Sequence, residues 1–511
     1  MRSRVGPALI TVVVLLAGCA RNGEEGGPGA STAPPRVPSS ATSPTTASSI
    51  ATTGPVAPGR DVGPRPLPPT FVPLEVADFP RPADASCADN TRIVEVDDPS
   101  GLAETVRRAE SGTTILVAPG TYRSDDEGDV RALVFDTPDV CLRSRTKPDD
   151  PTRAPVVIEP SGGQTTGIAI RASRVVIEGV VVRGFQAGIG FDADAGTTLQ
   201  GVTIQSVAVT ELTGESRDGI VSYGDNREVS GSPPAVDGLL LLGVAVQGAD
   251  LGISCNAGPC AHWWLERVSV TGRQVSENSG ADAFAIEEGR QIAVVDSRFE
   301  RAAADGIDTK ATDVVVLGAR VTDVARNGIK LWSGGDVIDS VVNGSDADAA
   351  LVGAGPARYR YVHVLVTRHG RDGDAYLGTW GYDKRRPVQL EIVNSIFADN
   401  APGGFFVPPG STVSIRHTIF DDPDAKLVDI GDDRSLGVAD LDELVSMGWA
   451  ADVVVADPRL VDPAAGDVST APGSPARDAA EPVAGLARDL VGGPRVVGAG
   501  PDIGPVESPT G

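Results

Sequence analysis

"ADGIDTKATDVVVLGARVTDVARNGIKLW", from Ala304 to Trp332, contains one pattern twice. A short apolar piece at Gly306-Ile307 precedes the polar Asp308 to Lys310. The run Val314 to Leu317 follows, Gly318 interrupts it, and a second apolar alternation ends at Val324. Asn327-Gly328-Ile329 then restarts the pattern. None of these pieces can bury its apolar side alone, so successive copies must stack. The signal recurs along the chain. Longer strands read "RVVIEGVVVRG", "GVTIQSVAVTE", "LLLLGVAVQG", "IAVVDSRFE" and "LEIVNSIFAD"; shorter ones read "AGIGF", "DGIVSY", "LGISC", "DAFAIE" and "GGFFVP". With a period of roughly 20 to 30 residues and two or three short strands per turn, the expectation is an all-β right-handed parallel β-helix, a solenoid. Equivalent residues on successive rungs then lie about 4.8 Å apart. A leucine-rich repeat would need a fixed Leu/Asn consensus, and a propeller would need four antiparallel strands per blade; neither pattern is present.

Composition agrees. Hydrophobic residues make up 41% and aromatic residues 4%, so the core must be built from Val, Ile, Leu and Ala. The 61 Gly and 40 Pro point to many short strands separated by turns. A net charge of −25 argues against nucleic acid and against anionic membrane surfaces as partners.

The N-terminus reads as an address. Arg2 and Arg4 precede the apolar run Ala8 to Leu16, which is too short to span a bilayer. Leu16-Ala17-Gly18-Cys19 resembles the lipobox of bacterial lipoproteins. That resemblance implies cleavage before Cys19, a lipid on its sulfur, and a mature protein anchored outside the cytoplasmic membrane. The alternative is an ordinary secretory signal with a chance cysteine. Export makes disulfides plausible for the other four cysteines. Cys255 and Cys260 enclose only Asn256 to Pro259, which suggests a local pair, and Cys87–Cys141 follows by elimination.

The expected organisation is a signal peptide over 1–18, a Pro/Ser/Thr/Gly-rich disordered tether over 19–80, a β-helix over 81–424 and a closing segment over 425–511. Near the start, Ser100 is placed to cap a short amphipathic helix carrying Leu102, Val106 and Ala109, which would cover the open end of the sheets. "SGTTILVAPGTYR" resembles the opening coil of secreted β-helix proteins, and "GAGPDIGPVE" resembles part of their closing segment. A capped solenoid needs no second copy, so a monomer is expected.

Aligning the short strands gives two columns. The first reads Ala187, Asp218, Leu251, Asp282, Asp305, Asn327, Asp348, Asp374, Gly403; the second, three residues on, reads Gly190, Val221, Ser254, Ala285, Asp308, Lys330, Leu351, Leu377, Phe406. Stacked carboxylates repel unless a cation sits among them, and a loose set of oxygen ligands suits Ca²⁺. Asp282, Asp305 and Asp308 are the candidate ligands. After Lys330 come Arg358, Arg360, Arg368, His369, Arg371 and Lys384-Arg385-Arg386, with Trp332, Trp380 and Tyr382 among them. These are candidate contacts for an acidic polysaccharide, with the aromatic rings stacking on sugars.

"ADAF" at Ala281 to Phe284, "ADGID" at Ala304 to Asp308 and "NGIK" at Asn327 to Lys330 resemble motifs of the family nine polysaccharide lyases, extracellular calcium-dependent pectate lyases with a β-helix fold. The resemblance covers about fifty residues and implies calcium ligands Asp282, Asp305 and Asp308 and a catalytic base at Lys330. Ala304 stands where the family has a further Asp. The implied chemistry is β-elimination. Calcium on the uronate carboxylate would stabilise the enolate, and a neutral lysine would remove the C5 proton.

Plainer readings compete. Asp and Asn stacked beside tight turns often bond neighbouring backbone. Asp308 and Lys330 could form an inter-rung salt bridge, Lys310 could pair with Glu287, and the arginines could be a solvated face. His262-Trp263-Trp264 reads as packing beside Cys260. Asp282 and Asp305 could instead serve glycoside hydrolysis, which uses two carboxylates. The non-enzyme alternative is an anchored surface protein that binds glycans or cell-envelope polymers.

Overall fold

The structure, a computed structural model, describes residues 81–82, 87–123, 129–146, 148–194, 196–222, 235–256, 258–273, 281–346, 349–370, 375–381, 386–431 and 434–509. The expected signal peptide, Cys19 and the tether lie outside the described residues, as do Asp348, Arg371, Asp374, Tyr382, Lys384 and Arg385. Among the described residues no helix is long and apolar enough to cross a membrane.

The chain winds into a right-handed parallel β-helix whose described residues form sheets of 16, 13 and 13 strands, numbered here 1, 2 and 3 in the order the chain visits them. One turn uses Gly289–Val295 in sheet 1, Arg298–Glu300 in sheet 2 and Ile307–Thr309 in sheet 3. The next turn, Thr312–Leu317, Arg320–Val324 and Ile329–Leu331, pairs in parallel on top of it.

The corner between sheets 1 and 2 is a single left-handed residue per turn. Asp296, Gly318, Asp339, His363 and Asn394 have φ of 46°, 73°, 47°, 53° and 53°. Gly, Asn and Asp adopt this conformation at low cost, so the corner repeats without a loop. The connection from sheet 2 to sheet 3 is less regular: it runs from Glu300 to Ile307, Val324 to Ile329, Ser345 to Ala349 and Thr367 to Tyr376.

Inside, Ile307, Ile329, Val321 and Val342 are fully buried. The backbone of sheet 3 approaches sheet 2 so closely that a Cβ on Gly306 would sit 2.3 Å from Val321 Cγ1, and one on Gly328 2.4 Å from Val342 Cγ1. The glycines of "DGI" and "NGI" are therefore packing requirements. That part of the motif reports the fold and says nothing about chemistry.

The helix Leu102–Arg108 buries Leu102 and Val106 and packs against the strand Arg131–Phe135. Ser100 does not cap it: its Oγ and its backbone N–H both donate to Asp98 Oδ1 at 3.0 Å, and the capping position is Gly101. At the other end, parallel pairing runs past residue 424. Lys426–Ile430 pairs with Phe405–Val407, and Val454–Val455 pairs with Ile419–Phe420. The chain then turns back, laying Val468, Ala476, Leu490 and Ile503 on the outward residues Val341, Leu365 and Ile396 of sheet 2. Disulfides join Cys87 to Cys141 and Cys255 to Cys260, with Cα separations of 6.0 and 6.4 Å.

Candidate functional site

The strands of sheet 3 are short enough that alternation decides everything. In Ile307–Thr309 and Ile329–Leu331 the outer residues of each triplet point into the core, and the middle residues, Asp308 and Lys330, point out. The register pairs Ala285 with Asp308, Asp308 with Lys330, and Lys330 with Val352. Val352 pairs with Thr379 and Thr379 with Phe406. Leu351 and Leu377, which the sequence alignment put in this column, are instead buried in the core. The alignment slipped there because the preceding connections differ in length.

The first column is a series of bonds between rungs. Asp282 Oδ1 accepts from the Asp305 backbone N–H at 2.8 Å; Asp305 Oδ1 accepts from the Asn327 backbone N–H at 2.9 Å and from Asn327 Nδ2 at 2.8 Å. These bonds staple neighbouring turns. Asp305 is 1% exposed and uses its second oxygen differently: Oδ2 accepts from Lys330 Nζ at 3.2 Å. Lys330 Nζ also donates to Asp308 Oδ2 at 2.9 Å, and Asp308 Oδ1 accepts from Trp332 Nε1 at 2.6 Å. The ammonium of Lys330 stands 4.8 Å from the Trp332 ring centre and that of Lys310 5.4 Å, both within cation–π range. Lys310 is paired with Glu287.

Burial shapes the charges. It pushes the Asp282 carboxyl up to about 7, reinforced by the charge of Asp305. Burial also raises Asp308, outweighing the pull of Lys330. For Lys330 burial acts downward, yet Asp305 and Asp308 overcome it and hold the amine above its ordinary 10.5. Lys330 is therefore an ammonium ion at neutral pH.

The same geometry tests the expected calcium. Ca²⁺ takes six to eight oxygen ligands. Here Asp282, Asp305 and Asp308 each accept from groups of the chain, and Lys330 supplies the positive charge among them. Ala304, fully buried, adds no oxygen. Among the described residues no group of three or more His, Cys, Asp or Glu side chains is arranged to hold a metal ion. In this arrangement the carboxylates do not fit calcium.

Arg358, Arg360 and Arg368 do not lie with Lys330 on sheet 3. Arg358 and Arg360 belong to a strand of sheet 1; Arg358 pairs with Glu391 at 2.9 Å, and Arg360 grips Asp336 through bonds of 2.9 and 2.6 Å. Arg368 follows a strand of sheet 2 and bonds Asn343 at 3.0 Å and Asp323 at 3.3 Å. Trp380 is fully buried, with its ring centre 5.7 Å from those of both Tyr361 and Phe405. A Cβ on Gly378 would lie 2.2 Å from its ring. Trp380 thus fills space that a glycine leaves open and cannot stack on a sugar. Trp332 is half-buried beside Lys330, and Arg358 lies near the corner that Trp332 leads into. His262 pairs with Asp237, and Trp263 and Trp264 are buried.

The sequence reading missed the Asp308–Trp332 bond and the bond from the Asn327 side chain to Asp305. The register sets residues 22 positions apart side by side, as Asp305 and Asn327 are, and Trp332, two residues past Lys330, reaches back to Asp308.

No family model matches the chain, and no curated protein matches it. Among solved structures it is similar to pectate lyase Pel9A, at 13% identity over 83% of this chain and 100% of that one, with a TM-score of 0.38. It is also similar to the A-module of the Azotobacter vinelandii mannuronan C-5 epimerase AlgE4, at 11% identity over 67% and 91% of the chains, TM-score 0.36. A third is the alginate lyase of Paenibacillus sp. str. FPU-7, at 16% identity over 63% and 100%, TM-score 0.34. Likeness at this level leaves the chemistry to be argued from this chain's own residues.

Proposed function

We propose that the protein acts on a uronic-acid-containing polysaccharide outside the cytoplasm, as a lyase with Lys330 as its base. The observation that carries this reading is the placement of Lys330, Asp308 and Trp332 together on the outward side of sheet 3, where most neighbouring rungs present apolar or small residues. In the reaction, neutral Lys330 takes the C5 proton of a uronate residue. The electron pair forms the C4–C5 double bond, the C4–O bond breaks, and the departing oxygen takes a proton from water. The half-buried Trp332 ring, tied to Asp308, holds the sugar against Lys330. The base is available only when Lys330 has lost its proton, so the activity is alkaline.

One observation favours a second reading, in which the protein binds the polymer without cleaving it. Lys330 is held by two carboxylates and its pKa is raised, the opposite of what a base needs near neutral pH. Formation of unsaturated uronate ends, with Lys330→Ala as the control, separates the two. Anchoring through Cys19 belongs to the same proposal, and mass spectrometry of the membrane-extracted N-terminal peptide tests it.

A further inference from the structure

Trp332 leads into a second feature. Its next residue, Ser333, lines a cleft of about 490 Å³ at the corner where sheet 3 gives way to sheet 1. That volume lies in the range of about 300–1,000 Å³ common for small-molecule sites. The polar lining comes from Thr312, Asp313, Ser333, Asp336, Arg358 and Gln389, with Pro356 and Pro387 also in the walls.

The charges in this cleft decide what suits it. Arg358 is paired with Glu391, and Asp336 with Arg360. Asp313 adds a carboxylate whose Oδ2 accepts from Thr312 Oγ1 at 3.2 Å. Among the described residues the lining therefore offers hydroxyls, an amide and the Asp313 carboxylate to a ligand, while Arg358 is paired with Glu391. The whole chain carries −25. Asp336 is neutralised by Arg360, so a second sugar carboxylate in the cleft would meet the charge of Asp313, and Arg358, the cation among the described lining residues, is already paired. A neutral ring would meet donors and acceptors suited to its hydroxyls. The backbone from Trp332 to Asp336 reaches at most about 14 Å, within the span of a short oligosaccharide.

We infer that this cleft binds a neutral sugar of the same polymer whose uronate lies at Lys330, so that the substrate is a heteropolysaccharide of uronic acid and neutral sugar rather than a polyuronate. This rests on the function proposed above.

The test is calorimetric titration with two probes differing only in carboxylates: a tetrasaccharide alternating glucuronate and glucose, and tetraglucuronate. The alternating probe is expected to bind at least about 10-fold tighter, a difference near 1.4 kcal/mol. Asp313→Gly with Gln389→Ala should bring it down to the level of tetraglucuronate. Glycine suits the left-handed φ of 59° at Asp313, and a thermal melt checks that the variant folds. Equal or tighter binding of tetraglucuronate, or no effect of the double variant, would overturn the cleft assignment alone. Failure of the wild-type protein to bind either probe would overturn the cleft and the proposed function together.

Discussion

Asp308 and Lys330 are register partners on adjacent rungs of sheet 3, and Lys330 Nζ lies 2.9 Å from Asp308 Oδ2. The same ammonium reaches Asp305 Oδ2 at 3.2 Å. One cation thus compensates two carboxylates whose side chains are 2% and 12% exposed. In such surroundings an unpaired charge costs far more than it would at the surface, so Lys330 has a structural role whether or not it reacts.

Lys330→Met should lower stability by roughly 3–5 kcal/mol, because it leaves Asp305 and Asp308 uncompensated. Adding Asp308→Asn should recover part of the loss. Urea denaturation of the single and double variants measures both effects. A single variant as stable as wild type would mean that the carboxylates are protonated or solvated.

Asp282 predicts a pH dependence. Its folded pKa is about 7 against an ordinary 3.8. Between these values the folded protein holds a proton that the unfolded chain has released, so stability falls as pH rises from about 4 to about 7. Asp282→Asn keeps an oxygen for the Asp305 N–H and removes the titration. The variant should gain on the order of 1–3 kcal/mol relative to wild type at pH 8, with a flatter profile below. Parallel profiles for the two proteins would refute the assignment.

The two tryptophans should separate cleanly. Trp380→Ala removes a fully buried ring and should cost about 3–5 kcal/mol, with polysaccharide binding by the folded fraction intact. Trp332→Ala removes a half-buried ring and should cost less stability while weakening binding. Thermal melts and titrations of both variants check this, and the reverse pattern would place the sugar elsewhere.

Gly306→Ala should destabilise by about 1–3 kcal/mol, since the added methyl meets Val321 Cγ1 at 2.3 Å. Pairing it with Val321→Ala should recover part of the loss, because the Gly328 carbonyl oxygen, 2.7 Å from the added methyl, remains. If the pair is no better than the single change, the close approach of sheets 2 and 3 is not what demands the glycine.

The fold was legible because Val, Ile and Leu recur in step with the rungs. From Gly190 to Lys330 the register follows the sequence columns. It departs at Val352 and Thr379, because a column counted along the chain cannot see how much of each turn goes into the connection from sheet 2 to sheet 3. The site was legible in part for the same reason. Asp308 and Lys330 are neighbours, as their positions imply. Calcium does not fit because the charge balance is local: Lys330 answers the acids that seemed to need a metal ion. Arg358, Arg360 and Arg368 are near Lys330 in sequence, but the chain carries them around corners onto sheets 1 and 2, each to its own acid. Trp380 misled because an aromatic among cations looks like a binding residue, whereas Gly353 and Gly378 in the inward columns mark room for its ring.

The central claim is that Lys330 removes a proton from a uronate residue. It is tested most directly by following ultraviolet absorbance of unsaturated product ends across pH, on glucuronate-containing heteropolysaccharide, with and without chelator. The account predicts product that rises with pH toward and above the ordinary lysine range, is unaffected by chelator and vanishes in Lys330→Ala. No product at any pH from folded protein, or product that Lys330→Ala leaves unchanged, would contradict it.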